Sequence, residues 1–107
     1  VQSSLHTHNE AKILDCIDSG IDVFGKTVKT VIYFKFKTSF NLERSDIVRK
    51  PEMFSECLRA FFGQREFNVE ACIVASILGC FHLTDVSPSD SVTRAIFSAR
   101  KQIQSSH

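Results

Sequence analysis

Apolar residues recur along most of this chain three and four positions apart, the period of an α-helix with one buried face. From Asn9, a residue suited to an N-cap, Ile13, Leu14, Ile17 and Ile21 fall on one side, and Asp15, Asp18 and Asp22 on another. The pattern predicts a first helix from Asn9 to about Ser19, with Gly20 as its C′ residue and Asp22 capping the next helix. Residues 1–8 carry no such period and read as a tail or linker remnant, leaving 9–107 as a single domain.

The segment 23–40 has two readings. Its Thr, Val, Ile, Tyr and Phe content suits a strand, and Phe34 to Lys37 alternates. On a helical wheel, however, Lys26, Lys29, Thr30, Tyr33 and Lys37 gather on one side, leaving Phe24, Val28, Val31, Ile32 and Phe36 on the rest. The wheel is the more consistent pattern and predicts a second helix. Residues 41–50 then form a connection with a short turn near Arg44–Val48.

Pro51 suits the first position of a third helix, in which Phe54, Cys57, Leu58 and Phe61 stand at i, i+3, i+4 and i+7, with Gly63 as the stop. The fourth helix, about Asn68 to Leu83, is apolar almost all round, as in a buried central member. Its Ala71, Ala75 and Gly79 form a strip where another backbone can approach. Ser87-Pro88-Ser89-Asp90 offers a cap and a Pro at N1 for a last helix over about Pro88–Gln104. That helix buries Val92, Ala95, Ile96, Ala99 and Ile103. The predicted fold is all-α: a compact bundle of about five helices around a Phe-rich core.

Composition adds one oddity: ten Phe, one Tyr and no Trp among 107 residues. Phe24, Phe36, Phe54, Phe61, Phe62, Phe67 and Phe81 find core places in the helical reading, and Phe40 plugs a connection. Phe34 and Phe97 do not find core places. Net charge is +1, so the chain is no polycation built for DNA. The charge is blocked nonetheless. Residues 1–22 are acidic, 23–50 basic, 51–90 acidic, and 91–107 carry Arg94, Arg100 and Lys101 with no acid. Such alternation is the expected signature of neighbouring helices packed with complementary charge.

Chemistry is sparse. Gly20 to Thr27 satisfies GxxxxGK[ST], but a P-loop needs a buried strand before it, and Ala11–Ser19 is amphipathic and acidic. Asp22 inside the loop would also repel phosphate, so the match reads as coincidence. Cys16, Cys57, Cys72 and Cys80 form no CxxC pair and sit in apolar stretches. They read as buried free thiols of a reducing, cytoplasmic compartment. Neither His6-x-His8 nor Cys80-x-His82 has a second half at zinc spacing, and Asp15, Asp18 and Asp22 make a solvated or Lys-facing stripe. No catalytic set, metal or cofactor is implied. The longest apolar run, Ala71 to Phe81, falls far short of the ~20 residues a membrane span needs. The chain opens on Val1 rather than Met, which leaves room for an upstream part.

Two faces remain as candidate binding surfaces. Lys26, Lys29, Tyr33 and Lys37 could meet phosphates or an acidic partner. Arg94, Phe97 and Lys101 place an aromatic on the polar side of the last helix, as at a partner or homodimer contact. The expected role is non-enzymatic protein–protein contact, with a nucleic acid on the first face as the alternative.

Two stretches also resemble a known family. Asp18 to Phe24, with Gly25-Lys26-Thr27-Val28 and Val31-Ile32-Tyr33-Phe34, is similar to the glycine, turn and aliphatic-Tyr segment of the Nitrososphaera output domain, type five. Leu42-Glu43-Arg44-Ser45-Asp46-Ile47, then Pro51-Glu52-Met53-Phe54, Leu58 and Phe62-Gly63, resembles its second signature. The resemblance covers about residues 11–83. It implies a small archaeal helical domain used as a signalling output module, a structural Gly25, and no catalytic residues.

Overall fold

The computed structural model describes residues 2–62, 69–87 and 89–105, with side chains for 10–61, 69–87 and 89–103. Five helices succeed one another: α1 (Gln2–Asp22), α2 (Lys26–Phe40), α3 (Pro51–Phe62), α4 (Val69–Phe81) and α5 (Val92–Ser105). A 3₁₀ turn, Arg44–Asp46, interrupts the α2–α3 connection. No strand occurs among the described residues, and segment 23–40 is helical from Lys26 on, as its wheel predicts, after a turn at 23–25. The Cα radius of gyration, 13.2 Å, matches the ~13 Å of a folded chain this long.

Three boundaries differ from expectation. Residues 2–8 continue α1 rather than forming a tail. Gly20 does not end α1, which runs on to Asp22, and the reversal falls at Gly25 instead. There φ is +97°, a region open to glycine and strained for a residue with a β-carbon. Gly25 is also the N-cap of α2, so Asp22 does not cap that helix. Finally, α5 starts at Val92 rather than near Pro88, which lies outside the described residues. Ser91 Oγ accepts the Arg94 N–H at 3.2 Å and is the N-terminal cap.

The other helix ends obey local chemistry. Asn41 closes α2 in the left-handed region (φ 55°), and the Asn41 and Leu42 N–H groups return to Lys37 and Phe36 carbonyls. His82 repeats the device after α4 at φ 54°, with Leu83 N–H donating to the Leu78 carbonyl at 3.1 Å.

α1 and α4 pack antiparallel and form the main interface, with α5 laid against α4 and α3. The close approach is at Gly20, where a β-carbon would lie 2.8 Å from Ile73 Cα and 3.0 Å from the Cys72 carbonyl oxygen. The Ala71–Ala75–Gly79 strip does not serve this purpose: Ala75 and Gly79 are exposed, and Gly79 faces open space. α4 is therefore less central than its composition suggests.

The core joins Ile13 and Ile17 of α1, Ile32 and Phe36 of α2, Phe54 and Leu58 of α3, Ile73 and Ile77 of α4, and Ile96 of α5. Phe36 meets Phe54 edge to face at 5.4 Å and Phe40 at 6.1 Å. Phe81 is buried, and Phe24 and Phe40 are partly so. Phe61 breaks the expected stripe. It is 37% exposed, with the Lys35 ammonium 5.1 Å above its ring. The Phe62 and Phe67 side chains lie outside the described residues.

Candidate functional site

The basic face of α2 is largely answered by acids from neighbouring segments. Lys29 Nζ lies 2.9 Å from Asp22 Oδ1, whose hydrogen bond raises the Lys29 pKa. Lys37 Nζ lies 3.4 Å from Glu43. Tyr33 donates its hydroxyl to Asp18 Oδ1. Burial, reinforced by that bond, pushes the Tyr33 phenol well above its usual range. Lys26 is exposed at the start of the helix.

Asp18 is the centre of this cluster. Its second oxygen accepts from Arg44 Nη2 at 2.7 Å and Nε at 3.2 Å, and Arg44 also reaches Asp15 at 3.3 Å. One aspartate of α1 thus ties α2 through Tyr33 and the 3₁₀ turn through Arg44. The acidic stripe and the basic stripe are two sides of one interhelical seam.

A second polar centre was not visible in the sequence. Glu70, at the start of α4, accepts from Ser55 Oγ of α3 at 2.6 Å, Arg59 Nε of α3 at 3.1 Å and the Val92 backbone N–H of α5 at 3.0 Å. Burial alone would raise its pKa. The bonds from Ser55, Val92 and Arg59 together outweigh burial and hold the carboxyl below the usual range. Glu70 stands over the first N–H of α5, a favourable place for a negative charge. Only its partners, 15 residues before it and 22 after, reveal the role, and no local motif marks them.

The Arg94–Phe97–Lys101 face is on the outside of α5. Phe97 is 60% exposed, and Lys101 Nζ lies 5.7 Å over its ring. Arg94 reaches Asp90 at 3.5 Å and donates to the Asp85 carbonyl at 3.2 Å. Beside this face a shallow depression of about 210 Å³ is lined by His82, Asp85, Ser98, Lys101 and Gln102 among others. Ser98 donates to Asp85 at 2.8 Å, which holds that carboxyl below its usual range. A carboxylate so stabilised is a poor base, and Ser98 is spent on it rather than activated by it. Val92, Ala95, Ile96 and Ala99 are fully buried. They are thus closed to the dimer contact for which the stripe is suited in isolation.

Two cysteines correct the sequence reading. Cys16 and Cys80 form a disulfide joining α1 to α4, with Cα atoms 6.4 Å apart. Cys80 is therefore no metal ligand with His82. Cys57 and Cys72 are free; burial pushes the Cys57 thiol up to about 11, which leaves it unreactive. The P-loop match dissolves, because helix α1 precedes it and Gly20 faces α4. Among the described residues no group of three His, Cys, Asp or Glu side chains is placed to hold a metal, and no helix is long and apolar enough to cross a membrane. No family model matches the chain, and no curated protein or solved structure matches it either.

Proposed function

We propose that this chain is a non-enzymatic regulatory module, of the output type, that works through contact with another protein. The observation that carries this reading is Phe97. Its ring stands outward between Arg94 and Lys101, while the apolar stripe on the other side of α5 is fully buried from Val92 to Ala99. An exposed aromatic with cationic neighbours is the kind of anchor that protein interfaces enrich. The nucleic-acid alternative is less well supported. A phosphate on α2 would have to displace Asp22 from Lys29 and Glu43 from Lys37.

A photo-crosslinking residue placed at Phe97 tests the reading in the cells that make the protein. One discrete protein adduct is expected, weakened by the paired changes Arg94→Glu and Lys101→Glu. Crosslinking no different from that at exposed Ala75 overturns it.

A further inference from the structure

The outer face of α2 carries a second surface, distinct from Phe97 and independent of it. Thr27, Val31, Phe34 and Thr38 are spaced four, three and four residues apart, so they share about 60° of arc at 100° per residue. All four are exposed, Phe34 at 61% and Val31 at 38%. The spacing is that of a seam between two helices, and over three turns it spans roughly 16 Å. Thr38 Oγ1 already donates to the Phe34 carbonyl at 2.9 Å, so covering that threonine strands no hydroxyl.

The flanks that α2 itself supplies are of one sign. Lys26 borders the seam on one side and Lys35 on the other, Lys37 being already paired with Glu43, and α2 holds no acid along its length. Beyond Lys35 the patch continues onto the ring of Phe61. A second copy of the same seam would bring lysines against lysines, which opposes self-pairing. We propose that this face receives an amphipathic helix of about 12–15 residues with apolar seam positions and Glu or Asp on both flanks, from a different protein.

Fluorescence anisotropy with two labelled 14-residue helical peptides tests the proposal on the whole chain. Both carry Leu at seam positions, with Glu flanks in one and Lys flanks in the other. At low salt the Glu peptide is expected to bind at least tenfold more tightly than the Lys peptide, and to weaken as salt rises. Phe34→Ser and, separately, Val31→Asn should each weaken it several-fold with unchanged circular dichroism. The pair Lys26→Glu and Lys35→Glu should reverse the preference between peptides. Equal binding of both peptides, no binding of the Glu peptide, or indifference to Phe34→Ser overturns the proposal. So does a wild-type dimer in sedimentation that Phe34→Ser dissociates.

Discussion

Gly20 of α1 and Ile73 of α4 meet backbone to backbone, with only 2.8 Å between Ile73 Cα and the place a β-carbon at Gly20 would take. The opposing atoms are main chain and cannot swing aside. Gly20→Ala is therefore expected to force the helices apart and destabilise the fold by about 1–3 kcal/mol, the usual range for overpacking. Gly79→Ala faces open space on α4 and should gain up to about 1 kcal/mol from helix propensity. Urea unfolding of both variants checks the pair, and equal effects would contradict the packing.

The same interface carries the Cys16–Cys80 disulfide, across a sequence separation of 64 residues. Closing a loop of that length restricts the unfolded chain, a contribution of about 2–4 kcal/mol. In a domain this small that corresponds to a melting shift on the order of 10 °C or more. Melting with and without dithiothreitol should show the drop, and the double change Cys16→Ser with Cys80→Ser should abolish the difference. The shift measures how far reduction loosens α1 from α4.

Helices two, three and five were legible because their apolar residues repeat with the helical period, and α4 because it is apolar almost all round. Pro51 marks the start of α3, whereas the Ser87–Asp90 signal sets the start of α5 too early. What escaped was fixed by partners remote in sequence. The length of α1 was hidden because Gln2–His8 lacks an apolar period. Gly20 resembled a helix stop because its contact with Ile73 is invisible locally. Cys16 and Cys80 looked like separate thiols until antiparallel packing of α1 on α4 aligned them. The alternating charge blocks pointed to complementary packing of neighbouring segments, but not to Asp18, Tyr33 and Arg44 as its centre. Phe34 and Phe97 were the two phenylalanines without a core place, and both are exposed.

Glu70 predicts the acid limb of stability. Its carboxyl pKa is lowered in the fold, so its stabilisation is present above the unfolded value of about 4.3 and is lost as pH falls through the folded value. Glu70→Gln should cost about 1.5–3 kcal/mol at pH 7, the range for hydrogen bonds to a charged group. It should also flatten the fall in stability below about pH 4.3. Denaturant midpoints at pH 7 and pH 3 check this, and an unchanged acid limb in the variant would refute it. Ser55→Ala removes one donor and should produce a smaller change of the same sign.

Tyr33 predicts the alkaline limb, with the opposite sign. Burial and the bond to Asp18 raise its phenol pKa in the fold. Its contribution is complete below the unfolded value of about 10 and is lost as pH climbs toward the folded one, because the unfolded chain ionises first. Tyr33→Phe removes the hydroxyl and leaves Asp18 with Arg44 alone, at a cost of about 0.5–1.5 kcal/mol near neutrality. Above about pH 10 the variant should lose stability less steeply than the wild type, so their denaturation midpoints converge. The chain has a single Tyr, so absorbance of the tyrosinate band tracks this group alone. Ionisation that sets in only with unfolding is the expected trace. A phenol that titrates near 10 in the folded protein would show that the bond to Asp18 does not persist in solution.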